Sequence, residues 1–135
     1  MANIKSRNTK PEIVVRRALF SRGLRYRLHV KRLPGTPDLV FPKYRAVVFV
    51  HGCFWHGHGC RLCVVPATNR EFWVQKIDGN RSRDEQAIRA LRGMGWRVMT
   101  VWECAVRGLD RLPLDLLASK IDRWLHAKKP TDELP

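Results

Sequence analysis

The sequence predicts an α/β fold in which a mixed central sheet is flanked by helices. Stretches with apolar residues at every third or fourth position predict helices. Short runs that are wholly apolar, or in which apolar and polar residues alternate, predict strands, and the elements follow in the order αβββααβα. The length of 135 residues suits one domain. The chain has no internal repeat and no low-complexity linker. We therefore expect a single domain at residues 1–127 and a flexible C-terminal tail at residues 128–135.

Four patterns predict helices, and two of them begin with a capping box. In Thr9–Glu12 the hydroxyl and the carboxylate can satisfy backbone donors of the first turn, and Gly23 can end this helix. A second capping box, Thr68–Glu71, predicts a helix that ends near Ile77, because Gly79 interrupts it. Apolar residues at helical spacing predict two more helices, one around residues 87–94 and one around residues 114–125.

Four segments predict strands. Apolar and polar residues alternate from Leu24 to Val30, which is typical of a half-buried strand. A turn at residues 33–37 leads into Asp38–Phe41, and a second turn leads into Ala46–His51, which is apolar enough for a central strand. Residues 96–102 alternate again and predict the fourth strand.

The charge balance indicates a polyanionic partner. Lys and Arg number 26 against 12 Asp and Glu, which gives a net charge of +14 and a pI near 10.7. Nucleic acid is favoured, since each neutralised phosphate releases counterions. No apolar run approaches the ~20 residues that a membrane span needs, and the N-terminus has no signal-peptide pattern. We expect a cytoplasmic monomer whose cysteines are reduced.

A cluster of histidines and cysteines predicts a zinc site. Residues 51–60 place five zinc-competent side chains within ten positions. A structural zinc site takes about four such ligands, and Cys104, after the last predicted strand, can supply a distant one. Cys60 and Cys63 form a CxxC pair that spacing alone would favour, and simple burial of a cysteine is the alternative. Spacing therefore leaves the ligand set open.

Asp38 is the candidate ligand for a hard cation. A hydrolytic nuclease needs a carboxylate that holds such an ion and a base that titrates near neutrality. Asp38 begins a strand, although aspartate after proline is common in ordinary turns. His51 and His56 are the candidate bases. Glu12 can assist through metal-bound water, or it can serve the capping box alone.

Aromatic and basic residues indicate how DNA could be held. Phe54 and Trp55 lie in a loop with no periodic reason for burial, which favours a role as wedges in a base stack. For Trp73, insertion into the base stack and packing in the protein core are equally compatible with the sequence. The tryptophans at positions 96, 102 and 124 follow strand or helix periods and are predicted to be core. The possible phosphate-facing arginines are Arg81, Arg83, Arg89, Arg92 and Arg97.

Five segments together resemble the very short patch repair (Vsr) DNA mismatch endonuclease family, over residues 1 to about 124. They are Pro34–Asp38, Val50–His56, Glu71–Trp73, Gly95–Val98 and Val101–Cys104. The resemblance implies a restriction-endonuclease-like (PD-(D/E)XK-type) fold with a structural zinc. It implies a nick on the 5′ side of the thymine in a T·G mismatch, which arises from deaminated 5-methylcytosine. It also implies action at the bacterial nucleoid, with a MutL-type repair protein as a partner.

The resemblance also implies residue roles. Asp38 and the backbone carbonyl of Val50 would bind Mg²⁺. His56 would activate water with support from His51, Glu12 and Asp84. The implied zinc ligands are Cys53, His58, Cys60 and Cys104, which leaves Cys63 out. The implied DNA contacts are Phe54, Trp55, Trp73, Lys76, Asn80, Met1 and Ile4.

One departure from the generic fold is visible. Phe49 and His51 stand where an acidic residue and a lysine are usual, so the site should hold metal with fewer carboxylates. Two other functions fit the charge, the cysteines and the aromatics: a zinc-stabilised DNA-binding module without catalysis, and a site-specific restriction-type nuclease. A protein that only binds DNA would not need Asp38 together with His51 and His56, whereas a nuclease would.

Overall fold

A computed structural model describes residues 9–60 and 64–135 of the chain. Its regular elements in these two ranges are three α-helices, five strands and two single-turn 3-10 helices. The helices are α1 (Lys10–Ser21), α2 (Arg70–Gly93) and α3 (Leu114–His126). The strands are β1 (Arg27–Leu28), β2 (Leu39–Phe41), β3 (Ala46–His51), β4 (Arg97–Trp102) and β5 (Thr131–Leu134). No helix in these ranges is long and apolar enough to cross a membrane.

The five strands form one mixed sheet in the order β1-β2-β3-β4-β5. Strand β2 runs antiparallel to both β1 and β3, and β4 lies parallel to both β3 and β5. Helix α2 makes the crossover from β3 to β4, as parallel neighbours require. The predicted mixed sheet flanked by helices is confirmed.

Each face of the sheet has its own core, because successive side chains of a strand point to opposite faces. Val48 and Met99 lie on the face covered by α1 and α3, where Leu19 and Ile121 pack. Val47 and Val98 lie on the other face, where Leu91 of α2 packs. The three tryptophans predicted to be core, Trp96, Trp102 and Trp124, are all buried.

The threonine half of the capping box at the start of α1 is confirmed. The hydroxyl of Thr9 accepts a hydrogen bond from the backbone N–H of Glu12 at 3.4 Å. The second capping box is wrong. Asn69 takes the N-cap position of α2 in a left-handed conformation, and its side chain makes no cap bond.

The expected flexible tail is wrong for residues 131–134. These residues form β5, whose Thr131 and Leu134 pair with Val98 and Val101 of β4. Leu134 is only 9% exposed and joins the core between the sheet and α3. Burial of this leucine and pairing with a strand edge outweigh the weak strand propensity of the segment.

Two other boundaries differ from the prediction. Gly79 does not interrupt α2, which runs unbroken for 24 residues. A helical glycine costs only about 1 kcal/mol relative to alanine, which packing of Ile77 and Leu91 on either side can offset. Strand β1 is limited to Arg27–Leu28, because His29 takes a φ of 48° that ends the extended backbone.

Candidate active site and metal centre

The candidate site forms where β2 begins and β3 ends. These strands are antiparallel, with Leu39 opposite Val48, so the start of one lies beside the end of the other. The backbone N–H of Val50 donates to Oδ2 of Asp38 at 2.7 Å. This bond fixes the Asp38 carboxylate beside the Val50 peptide, next to the end of β3 that carries His51.

Glu12, His29 and Asp38 form one buried group of possible cation ligands. Their ligand atoms all lie within 4.8 Å of one another. Nε2 of His29 is 2.8 Å from Oε2 of Glu12 and 4.0 Å from Oδ1 of Asp38. Nη1 of Arg16 lies 3.2 Å from the same oxygen of Glu12.

Burial, aided by the neighbouring Glu12 carboxylate and opposed by the hydrogen bond from Val50, raises the pKa of Asp38 to about 8. Two acidic groups are thus held together away from water, an arrangement that a divalent cation would stabilise.

His51, His56 and Asp84 form a second group. The two imidazole rings are stacked, with centroids 3.9 Å apart and 5° between their planes. Nδ1 of His56 lies 2.6 Å from Oδ2 of Asp84 on α2. Burial, and after it the neighbouring His56, lowers the pKa of His51 to about 3. His51 is therefore a neutral imidazole at physiological pH.

Members of both groups line a single cavity of about 750 Å³. Asp38 and His29 form part of its wall, and His56 with Asp84 forms another part. Arg83 and Lys31 add positive charge to the same cavity. A cavity with carboxylates, a histidine held by an aspartate, and basic side chains can hold a cation next to a phosphate and accept a proton from water.

A separate cluster of soft ligands lies beside this cavity. Cys53, His58, Cys60 and Cys104 have ligand atoms within 4.8 Å of one another. Nδ1 of His58 lies 3.5 Å from Sγ of Cys53 and 3.6 Å from Sγ of Cys104. Zinc bonds of ~2.3 Å to sulfur and ~2.0–2.1 Å to nitrogen, at a tetrahedral angle, separate such atoms by about 3.6 Å. The cluster therefore has the spacing of a tetrahedral metal site.

The surroundings of this cluster hold its members in place. Cys104 lies in a short 3-10 turn after β4, and its backbone N–H donates to Sγ of Cys53 at 3.3 Å. The ring of His58 stacks on Trp102, with centroids 4.2 Å apart. Burial raises the thiol pKa of both Cys53 and Cys104. Cys63, the competing ligand by spacing, lies outside the described residues.

The predicted wedge residues come together on the surface. Ring centroids are 5.0 Å apart for Phe54 and Trp55, 5.5 Å for Phe54 and Trp73, and 5.7 Å for Trp55 and Trp73. All three are only partly buried. This cluster joins the loop after β3 to the first turn of α2, so Trp73 belongs with the loop aromatics and not with the core.

The remaining predicted DNA contacts lie on α2 or outside the described residues. Lys76 is exposed. Nδ2 of Asn80 donates to the carbonyl of Trp55 at 2.7 Å, and its Oδ1 accepts from Arg83. Met1 and Ile4 lie outside the described residues.

His29 belongs to the site and was missed by the sequence analysis, where it was one polar residue of an alternating strand. Its place in the site depends on strand pairing, which a local sequence pattern does not define. In the β1-β2 hairpin Leu28 pairs with Leu39, so the next position along β1 faces Asp38. The backbone N–H of His29 donates to the carbonyl of Asp38 at 3.3 Å, which confirms this register.

The fold and the site define a class: α/β proteins with a buried acid–histidine cavity next to a Cys₃His cluster that can bind metal. The family model of the DNA mismatch endonuclease Vsr matches residues 1–62. The DNA mismatch endonuclease Vsr of Escherichia coli is 45% identical over 125 residues, covering 93% of this chain and 80% of the relative. The chain belongs to the Vsr family.

Two other relatives carry a different name. The type II nicking enzyme V.XorIIP of Xanthomonas oryzae is 53% identical over 112 residues, covering 83% of this chain and 82% of the relative. The type II nicking enzyme V.NmeAIP of Neisseria meningitidis is 47% identical over 107 residues, covering 79% of this chain and 76% of the relative.

Proposed function

We propose that this protein is a Mg²⁺-dependent DNA endonuclease that nicks duplex DNA on the 5′ side of the thymine in a T·G mismatch. Such a nick would start very short patch repair of deaminated 5-methylcytosine. Membership of the Vsr family supports an endonuclease, and one relative is named a DNA mismatch endonuclease. The observation that carries the proposal is the shared cavity, in which Asp38 lies together with the pair of His56 and Asp84.

In this proposal Asp38 and the carbonyl of Val50 hold Mg²⁺, and Glu12 orients a water molecule next to it. When bound, the ion neutralises charge on the scissile phosphate and makes a nearby water more acidic. The buried carboxylates fit this role because they lack bulk water to stabilise two negative charges.

The proton is then handled by the histidines. Asp84 accepts a hydrogen bond from Nδ1–H of His56, which leaves Nε2 with a lone pair that can take a proton from water. The same carboxylate stabilises the imidazolium that results. His51, being neutral, stacks on His56 without repelling it and keeps its ring in place.

Binding to DNA would combine charge and wedging. The net charge of +14 favours the phosphate backbone. Phe54, Trp55 and Trp73 would enter the base stack beside the mismatch. Lys76 and Asn80, on the same helix as Trp73, would contact the mismatched pair.

Further parts of the proposal rest on family membership. They are a restriction-endonuclease-like fold, zinc as the metal of the Cys₃His cluster, a cytoplasmic monomer, and a MutL-type partner. Metal analysis of the purified protein tests for zinc, sedimentation tests the monomer, and co-purification with the MutL protein of the same cell tests the partner.

A nicking assay tests the central proposal. Matched duplexes carry T·G or T·A at one position within a methyltransferase site, each labelled on either strand, and Mg²⁺ is present. We expect one nick, 5′ of the mismatched thymine, from the wild type, and none from Asp38→Asn. The variant should still bind the T·G duplex, because the DNA contacts are intact.

Two other outcomes would favour the alternatives. The names of the type II nicking enzymes give the second candidate function, a site-specific nuclease, some support. Equal cutting of the T·G and T·A duplexes would favour it. Tight binding of the mismatch by the wild type with no cleavage in any divalent metal would favour a DNA-binding module stabilised by zinc.

A further inference from the structure

We propose that His29 is a direct ligand of the catalytic cation and gives the site a preference for Mn²⁺ and similar transition metals over Mg²⁺. This inference rests on the proposed metal site. It adds a nitrogen ligand to that site and moves Glu12 from contact through water to direct contact with the ion. The site would then be two carboxylates and one imidazole, Glu12, His29 and Asp38, together with the carbonyl of Val50.

The backbone directs the imidazole into the cavity. His29 has a φ of 48°, a left-handed conformation that few residues other than glycine adopt. Such a conformation is strained unless the surroundings compensate it, and backbone strain concentrates at functional sites. The conformation ends β1 and leaves the side chain 88% buried among the acidic ligands instead of in solvent.

The distances match those of an octahedral site. Two ligands at about 2.1 Å from an ion lie about 3.0 Å apart at adjacent octahedral positions and about 4.2 Å apart at opposite ones. Nε2 of His29 lies 2.8 Å from Glu12 Oε2, close to the adjacent value. The same nitrogen lies 4.0 Å from Asp38 Oδ1, close to the opposite value. Only small side-chain adjustments would let all three contact one ion.

The chemistry of the ligands determines the metal. Mg²⁺ strongly prefers oxygen ligands and keeps several waters. Imidazole nitrogen binds Mn²⁺, Fe²⁺ and Co²⁺ better, and affinity rises along this series. A histidine in the inner shell should therefore increase affinity for Mn²⁺ while it leaves Mg²⁺ affinity nearly unchanged.

Electron paramagnetic resonance of Mn²⁺ bound to the whole protein tests the ligand directly. Pulsed measurements detect coupling between the ion and a ¹⁴N ligand, and the amount of free Mn²⁺ gives the dissociation constant. We expect ¹⁴N coupling in the wild type and none in His29→Gln, which can still hydrogen bond to Glu12. The variant should bind Mn²⁺ about tenfold or more weakly, while its Mg²⁺ affinity, measured by competition, changes less than about threefold.

Control variants separate this histidine from the others. His126→Gln changes an exposed histidine on α3 and should keep the coupling. His56→Gln changes another histidine that lines the cavity and should also keep the coupling. If His29→Gln does not fold, His51→Gln and His56→Gln decide the matter. His29, His51 and His56 are the histidines that line the cavity, so coupling that is kept in both of these variants belongs to His29.

The outcomes are distinct. Absence of ¹⁴N coupling in the wild type, its persistence in His29→Gln, or its loss in His56→Gln would overturn the role of His29 and leave the endonuclease proposal standing. Failure of both Mn²⁺ and Mg²⁺ to bind, or binding unchanged in Asp38→Asn, would overturn the proposed metal site itself.

Discussion

Oδ2 of Asp84 lies 2.6 Å from Nδ1 of His56, and each side chain is about a quarter exposed. The contact joins the middle of α2 to the loop that follows β3. It holds the imidazole by one nitrogen, so the other nitrogen has a fixed direction. The position of α2 on the sheet therefore sets the orientation of the candidate base.

Replacement of Asp84 by asparagine should slow cleavage without weakening DNA binding. Asparagine can donate to Nδ1, which favours the tautomer with the proton on the wrong nitrogen. We expect single-turnover nicking of a T·G duplex to fall by about 10²-fold or more, with the DNA dissociation constant within about twofold. Asp122→Asn, which changes an aspartate that pairs with Arg22 far from the cavity, is the control. Equal nicking rates for wild type and Asp84→Asn would contradict the role of this pair.

The affinity for the catalytic cation should rise with pH. Burial raises the pKa of Asp38 to about 8, so without metal this carboxyl holds a proton at pH 7. A cation binds the deprotonated form, and below pH 8 it must displace that proton. The Mn²⁺ dissociation constant should therefore decrease about tenfold per pH unit from pH 6 to 7 and level off near pH 8. Spin resonance titrations at fixed ionic strength measure it, and Asp38→Asn should bind weakly with little dependence on pH. A constant affinity from pH 6 to 8 in the wild type would refute the raised pKa.

The aromatic cluster should matter for DNA and little for folding. Trp73 is partly exposed, so Trp73→Ala removes little buried area. Stacking of a base on an aromatic side chain contributes about 1–3 kcal/mol, which is roughly 5- to 150-fold in affinity. We expect a loss of that size in fluorescence anisotropy with a T·G duplex. Phe20→Ala, which removes an exposed aromatic on α1, should bind like wild type. Comparable losses in both variants would indicate a general effect on the fold.

The Cys₃His cluster should bind one zinc per chain and stabilise the protein. At free zinc 1,000 times the dissociation constant the stabilisation is about 4 kcal/mol, or roughly 10–20 °C in Tm for a chain of this size. We expect Cys104→Ser to lose zinc, as measured by elemental analysis, and to show a Tm lower by this amount. Cys63→Ser should keep zinc. The opposite result, with zinc lost from Cys63→Ser and kept in Cys104→Ser, would reassign the ligands.

Local chemistry predicted much of the site. The start of α1 follows from the capping box at Thr9, and this start places Glu12 in the first turn. Asp38 and His51 lie at the two ends of apolar segments that could be recognised as strands. Two adjacent antiparallel strands bring those ends together, so a candidate acid and a candidate base could be expected to meet.

The rest depends on contacts distant in sequence. His29 reaches the cavity because of a left-handed backbone that nothing in its neighbours requires. The continuous path of α2 through Gly79 depends on packing against the sheet. Residues 131–134 contain two acidic residues and a proline precedes them, so propensity argues against a strand. The free edge of β4 and the burial of Leu134 together make β5 favourable.

Strand β5 yields the last prediction, since it turns an expected tail into part of the fold. Leu134 packs in the core, and the indole N–H of Trp102 donates to Glu133 at 3.3 Å while His58 stacks on that indole. Burial of a leucine is worth about 1.5–3 kcal/mol, and each net backbone hydrogen bond about 1 kcal/mol.

A chain that ends at Lys129 should therefore lose at least about 2 kcal/mol of unfolding free energy in urea titrations. Leu134→Ala should lose most of that amount, whereas Leu109→Ala, at a leucine that is 81% exposed, should lose almost none. Because Trp102 supports His58, the shortened chain should also release zinc to a chelator faster than the full chain. If both the shortened chain and Leu134→Ala were as stable as wild type, β5 would not contribute to the folded state in solution.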